Sequence, residues 1–335
     1  MLEIVRAVII TRPGGPEVLE IQEVPAPRPG AHEVLVRVIA SALNRADLAQ
    51  REGRYPAPPG SPENILGLEF AGEVAELGRG ASRWRSGQRV FGITGGGGQA
   101  EYLVSHESML AEIPANLSWA EAASVPEAFI TAHDALWKQA ELVAGESVLI
   151  HAVGSGVGLA AAQLAHARGA RAYGTSGTAA KLERARKYGL RDAFCMSGDF
   201  AALLVKIGEW TDGKGVNVVM DLVGGPYLSA NIEALAVKGR LLLVGTVAGR
   251  KAELDIGKAL QKRLKIIGTA LRSRPLEEKI AATEAFAAEV VPLFANGTLR
   301  SVIDREFPLQ QVQEAHRRVE SNENFGKVVL RIAET

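Results

Sequence analysis

The apolar positions of this chain follow two rhythms. In the first 110 residues they read as strands. Val34, Val36 and Val38 interleave with Leu35, Arg37 and Ile39, so one strand carries apolar groups on both faces. Further strands are predicted at 70–77 and 89–93, and the opening MLEIVRAVII reads as a first strand. Prolines at 25, 27, 29, 56, 58, 59 and 62 mark irregular connections. Ser118-Trp119-Ala120-Glu121 is a capping box ahead of an alanine-rich helix, and a domain switch is placed near it. From Ser147 onward strands alternate with helices. The strands are predicted at 147–152, 170–175, 192–196, 216–221, 240–245 and 265–269. Beyond 271 the rhythm breaks into a long helix at 276–295, a strand at 300–307, a helix at 308–320 and a strand at 326–332. This tail is expected to return to the N-terminal domain.

The stretch Ser147 to Gly169, SVLIHAVGSGVGLAAAQLAHARG, organises the second half. An apolar run, Val148-Leu149-Ile150, predicts a buried parallel strand. Gly154, Ser155, Gly156 and Gly158 form a turn, and an alanine-rich helix follows, with Gly169 as its C-cap. Strand, glycine turn and helix form the first unit of a dinucleotide-binding fold, where free amides at the helix N-terminus face a pyrophosphate. The spacing is Gly154-x-Gly156-x-Gly158 rather than G-x-G-x-x-G, so a tight turn without ligand is the competing reading. The flanking strand and helix favour the nucleotide. The predicted fold class is α/β: a doubly wound, six-stranded parallel sheet with a second, strand-rich domain.

Composition narrows the function classes. Of 335 residues, 47% are hydrophobic and 23% charged, as in a globular protein. Lys+Arg and Asp+Glu both number 38, so no general attraction to nucleic acid or an anionic membrane surface is expected. The longest apolar stretches are strand-sized and the first residues lack a cleavage pattern, so a cytoplasmic location is expected. The single cysteine, Cys195, excludes an intramolecular disulfide; its neighbours Ala193, Phe194 and Met196 predict a small core residue. The six histidines show no ligand spacing, and His151 is expected to pack at the end of its strand. Gly95 to Gly98 lack the Lys-Ser/Thr of a phosphate loop and read as a flexible turn before a strand.

The second strand of the dinucleotide unit bears on the cofactor. NAD-selective folds place an acid there, on the ribose 2′-hydroxyl. Here the region reads Gly174-Thr175-Ser176-Gly177, and the first acid is Glu183, inside the next helix. Lys181 lies just past the turn. A missing acid, a hydroxyl and a lysine favour a 2′-phosphate and hence NADPH, although a lysine there also suits a solvated helix face.

Several segments in order carry a family resemblance: Ser41 to Asp47, Asn64 to Glu69, Gly95 to Tyr102, Pro126 to Ala128, His151 to Gly158, Leu271 to Arg274 and Asn324 to Lys327. Over nearly its whole length the chain resembles the zinc-free quinone oxidoreductases of the medium-chain dehydrogenase/reductase superfamily. The resemblance is strongest to the tumour-suppressor-induced branch, with zeta-crystallin and bacterial NADPH:quinone reductases as wider kin. It implies a GroES-like β-barrel catalytic domain at 1–122 and 271–335 and a Rossmann domain at 123–270. Zinc-dependent members have Gly-His-Glu where this chain has Gly67-Leu68-Glu69, a cysteine near the position of Asn44, and a lobe with four cysteines. No metal is therefore expected. Without a Lewis acid an ordinary ketone is hard to polarise, so the acceptor should be electrophilic already, as a quinone is.

The resemblance also implies site residues. Asn44, Asp47 and Tyr55 would line the catalytic cleft, Tyr55 as a positioning donor beside the nicotinamide. A packed loop tyrosine and a structural Asp47 are the alternatives. Thr131 would face the carboxamide. Ser155, Gly156, Val157 and Gly158 would hold the pyrophosphate, and Ser176 and Lys181 the 2′-phosphate. Val244, Gly245, Thr246 and Val247 would flank the nicotinamide ribose, with Ala270 and Leu271 close by and Asn324 reaching in from the C-terminal segment. Met196 stands where relatives often carry a tyrosine for the 2′-phosphate, a role Arg184 could take over. The expectation is a cytoplasmic, NADPH-dependent quinone reductase. It would be a homodimer joined through the last Rossmann strand at Ile266-Ile267. The rivals are a reductase of 2-enoyl thioesters or α,β-unsaturated carbonyls, with Tyr55 as proton donor, and a non-catalytic NADPH-binding protein. The absence of a basic, aromatic stripe speaks against RNA as a partner.

Overall fold

A computed structural model describes residues 3–333. They form two compact units: 3–130 together with 271–333, and Thr131–Ala270. The strands in chain order are β1 (Ile4–Ile10), β2 (Leu19–Pro25), β3 (Glu33–Ala42), β4 (Glu69–Leu77), β5 (Arg89–Ile93), β6 (Tyr102–His106) and β7 (Leu110–Glu112). The second unit contributes β8 (Ser147–Ile150), β9 (Arg171–Ser176), β10 (Leu190–Cys195), β11 (Val216–Asp221), β12 (Leu235–Leu243) and β13 (Lys265–Gly268). The chain then adds β14 (Ile303–Pro308) and β15 (Lys327–Arg331) to the first unit.

In the first unit β3 is the central strand. It pairs antiparallel with β4, β6 and β15, and the sheet order is β14-β15-β3-β4-β5-β7. Its apolar groups are covered on both sides, as its sequence predicts: Val34, Val36 and Val38 are fully buried, and Leu35 and Ile39 nearly so. Phe70, Val74, Val90, Leu103 and Leu330 complete this core. The C-terminal helix Val312–Glu320 covers one edge. It buries Val312, Ala315, His316 and Val319, which share one helical face. His316 accepts a hydrogen bond at Nδ1 from buried Arg51. Burial and the Arg51 charge hold its pKa down at about 3, so the ring is neutral.

The second unit is a sheet of six parallel strands in the order β10-β9-β8-β11-β12-β13. The order reverses between β8 and β11, so a crevice opens beyond the carboxyl ends of these two strands. β8 is buried throughout, which is why it reads as an unbroken apolar run.

Several local expectations differ from the structure. A helix, Arg45–Arg51, interrupts the strand-rich first part, with Asn44 and Asp47 forming its capping box. The helix expected at 276–295 is two helices, Leu276–Glu289 and Val291–Ala295. Pro292 sits in the first turn of the second, where its missing N–H costs no hydrogen bond. The last helix begins at Val312, after a 3₁₀ turn at Leu309–Gln311. Cys195 is exposed, not a core residue: it ends β10, the edge strand, and its neighbour Met196 takes the buried place. Gly95–Gly98 is a turn closed in by its neighbours; the Gly97 and Gly98 amides donate to the carbonyls of Ile65 and Gly67.

Candidate active site

In the second unit the chain leaves β8 through Ala152, a non-glycine residue at φ 51°. It then enters the helix Gly156–Ala167, whose N-cap Ser155 accepts from the Gly158 amide at 3.1 Å. The first intrahelical bond runs from Leu159 N to Ser155 O, so the Gly156 and Val157 amides have no acceptor within the helix. A Cβ on Gly158 would lie 2.6 Å from the Ala152 carbonyl oxygen and 2.7 Å from Val153 Cα. Only glycine lets the helix start this close to the strand. Ser176 is buried at the end of β9. Lys181, on the helix Ala179–Ala185, lays its stem along the turn; a Cβ on Gly154 would stand 3.1 Å from it. The two turns predicted to hold phosphates are thus adjacent.

A buried polar chain fixes the neighbouring loop. Asn231 Nδ2 donates to Asp221 Oδ2 at 2.8 Å, so its Oδ1 accepts from His151 Nε2 at 2.7 Å. His151 Nδ1 then accepts from the Thr175 hydroxyl at 2.8 Å. Burial pushes the His151 pKa down, against the pull of Asp221, and keeps the ring neutral. Asp221 Oδ1 accepts from Val223 and Gly224, while its carbonyl accepts from Val244 and Gly245. This anchors the start of the segment 244–247. A Cβ on Gly245 would meet the Leu222 carbonyl oxygen at 2.4 Å. Val244 and Gly245 are partly buried, whereas Thr246, Val247 and Ala270 are exposed. Thr131 lies partly buried on the helix Pro126–His133. These cradles, which added side-chain carbons would fill, fit a dinucleotide.

The first unit holds a cluster of buried charges. Glu69, fully buried on β4, accepts at Oε1 from Lys327 Nζ at 2.5 Å and Asn44 Nδ2 at 2.9 Å. Its Oε2 accepts from the Glu127 amide at 2.8 Å. Lys327 also donates to Asn44 Oδ1 at 2.6 Å. Asp47 accepts from the amides of Asn44 at 2.7 Å and Gly67 at 3.1 Å, tying the helix start to the β4 approach. Burial raises its carboxyl to about 6, although those amides, Lys327 and Arg272 oppose the shift. Glu127 is raised to about 8, by burial first and then by Glu69 and Asp47, against Lys327 and Arg272. Tyr55 is partly buried and its ring lies 5.0 Å from the Arg272 guanidinium carbon. Burial, reinforced by Glu127 and opposed by Arg272, raises its phenol, which stays a neutral donor. Leu271 is buried next to Arg272. Asn324 makes a local bond, Nδ2 to Gly326 O at 2.8 Å.

Among the predicted residues, the structure brings Asn44 and Asp47 into one network, and Tyr55 against Arg272. Sequence reasoning gave no role to Glu69, Glu127, Arg272 or Lys327. All four lie in segments that carry the family resemblance, and that is the signal by which they can be found.

The Glu127 carboxyl makes stability fall with pH. Between its ordinary value of 4.5 and about 8 the unfolded chain binds fewer protons than the folded one, so stability declines across that window and levels off above it. In urea titrations Glu127→Gln is expected to gain on the wild type from about pH 5 to about pH 9. A constant difference between the two proteins would contradict the shift.

Residues 30–115 match the Alcohol dehydrogenase GroES-like domain family and residues 156–289 the Zinc-binding dehydrogenase family. With the parallel six-stranded sheet, these place the chain among nicotinamide-dependent oxidoreductases of the medium-chain dehydrogenase/reductase superfamily. A quinone oxidoreductase of Rattus norvegicus is 32% identical over 331 residues, covering 98% of both chains. The solved quinone oxidoreductase of Pseudomonas syringae pv. Tomato superposes with a TM-score of 0.86 at 28% identity, over 98% of this chain and 99% of the other. A mycobacterial protein solved in complex with NADPH gives a TM-score of 0.88 at 27% identity, over 98% and 99%. The chain belongs to the quinone oxidoreductase family.

Proposed function

We propose that this protein reduces quinones with NADPH, without zinc, as a cytoplasmic homodimer. The observation that carries the reading is the pair of positions where zinc-dependent kin have ligands. Leu68 is buried and apolar, and Asn44 is engaged by Glu69 and Lys327. A leucine cannot ligate zinc and the Asn44 amide is no substitute for a thiolate, so on this reading the acceptor is electrophilic by itself. A bound nicotinamide supplies the hydride. The chain's own groups position the acceptor and complete the product: hydride addition leaves an anionic oxygen, and a neutral Tyr55 phenol or Glu127 carboxyl is a suitable proton source.

NADPH is favoured by the turn after β9, which Ser176 at the strand end and Lys181 on the next helix flank and which holds no acid. The homodimer is favoured by β13. This edge strand leaves Ile266 39% exposed, next to a helix with Leu260 72% exposed.

The test is cofactor consumption by the purified protein, with an ortho-quinone or a 2-enoyl thioester as acceptor and NADPH or NADH as donor. Quinone turnover with an NADPH preference is the expected result. Turnover confined to the thioester would replace the quinone reading by the enoyl one. Lys181→Ala is expected to reduce the NADPH-over-NADH preference in kcat/KM about tenfold, the scale of one charged phosphate contact. An unchanged preference would remove Lys181 from the 2′-phosphate.

A further inference from the structure

Beside the charge cluster, the first unit contains a cavity of ≈ 30 Å³ whose walls include Leu68, Met109, Glu127, Leu271, Arg272 and Lys279. Arg272 is only 8% exposed, yet every acceptor that holds it is neutral. Nε donates to Gly95 O at 3.0 Å, and Nη2 to Gly95 O and to Gln50 Oε1 at 2.6 Å. Nη1 reaches Tyr55 O at 3.4 Å, which leaves one of its two hydrogens over. The nearby Asp47 carboxylate acts on Arg272, but its oxygens are already taken by the amides of Asn44 and Gly67. Lys279, on the helix Leu276–Glu289, is the second cation of the wall, and among the described residues its ammonium has no ion-pair partner. Two cations thus border one small cavity, and among the described residues no anion is bonded to either. A buried charge in that condition is costly, and such a cost persists where a ligand relieves it.

We propose that this cavity is an anion subsite that receives a carboxylate carried by the acceptor, between Arg272 and Lys279. The assignment deepens the quinone reading and rests on it: the acceptor would be a quinone bearing an acidic group. The volume suits it, because ~10–15 Å³ holds the centre of one water-sized atom and a carboxylate has two oxygens to place. The chemistry suits it as well. The remaining Nη1 hydrogen and the ammonium donate to the carboxylate, and the Glu127 carboxyl, held up at about 8, adds a third donor rather than a repelling charge. Arg272 also lies over the Tyr55 ring, so the subsite adjoins a residue expected to line the catalytic cleft. Leu68, Ile93, Met109 and Leu271 make part of the wall apolar, beside Thr94 and Gly95, and this strengthens the charge recognition.

The test has two arms on wild type and Lys279→Gln, a change at a partly exposed helix position. The first is calorimetric titration of the full chain with benzoate, which needs no turnover. Binding by the wild type, weakened about tenfold in Lys279→Gln, supports the subsite. No binding, or equal binding by both proteins, overturns it. The second arm compares a naphthoquinone carboxylate with its methyl ester. Preference for the acid, lost through KM in Lys279→Gln, supports the acceptor assignment; equal use of acid and ester by the wild type overturns it. Benzoate binding that depends on Lys279, in a protein that reduces neither quinone, would keep the anion site and reject the quinone reading.

Discussion

Lys327→Met is expected to destabilise the protein by about 3–5 kcal/mol, because it leaves a buried carboxylate without its cation. Glu69 is fully buried and Lys327 is 6% exposed, so water cannot replace the lost partner. The variant would strip Glu69 Oε1 of its 2.5 Å contact and Asn44 Oδ1 of its donor in the same step. Only the Asn44 amide and the Glu127 N–H would still reach the Glu69 carboxylate. A double-mutant cycle separates the pair from its surroundings. Glu69→Gln combined with Lys327→Met should lose clearly less than the sum of the single variants, with a coupling of about 1–3 kcal/mol. Urea denaturation of the four proteins is the measurement. A loss below about 1 kcal/mol in Lys327→Met, the level of an exposed pair, would mean that water reaches Glu69.

The second large effect belongs to the dinucleotide unit. Gly158→Ala places a methyl group 2.6 Å from the Ala152 carbonyl oxygen, 2.7 Å from Val153 Cα and 2.9 Å from Val153 C. All three are backbone atoms, so no side chain can swing aside. The turn must open, and the Gly156 and Val157 amides then leave the positions in which they would meet a pyrophosphate. An overpacked site of this kind costs ~1–3 kcal/mol, equivalent to a roughly 5–150-fold loss of NADPH affinity if the strain falls on the turn. Gly208→Ala is the control. It lies in the helix Phe200–Thr211 with nothing within 4 Å of an added Cβ, and it should bind NADPH like the wild type. Calorimetric titration decides. Undiminished affinity in Gly158→Ala would show that the cofactor does not depend on this close approach.

Much of the second unit is legible in the sequence because its physics is local. A strand buried on both faces is an apolar run, and a helix that starts against a strand needs glycine. The same reasoning misplaces Cys195, since an apolar neighbourhood does not say whether a strand lies at a sheet edge. The first unit is harder to read. Residues 45–51 follow a strand without a glycine or proline break, and only the Asn44-to-Asp47 cap marks the helix. The charge cluster is the least legible part. Glu69, Glu127, Arg272 and Lys327 are far apart in the chain, and a charged letter taken alone suggests solvent. Pairing across β3 and β4, and of β15 with β3, is what draws Glu69 and Lys327 together. No periodicity encodes that meeting.

The position of β15 has a consequence for biosynthesis. The strand that completes the β3 edge, and the ammonium that neutralises Glu69, leave the ribosome only after the whole segment Thr131–Ala270. That segment is continuous and can fold as it emerges, since domains generally fold as units during synthesis. The first unit must wait, the Ala40–Ala42 end of β3 unpaired beyond its β6 partner and its Glu69 carboxylate without a cation, until β15 arrives. Nascent chains stalled before Lys327 would therefore present one finished unit and one open sheet edge, a natural substrate for a chaperone.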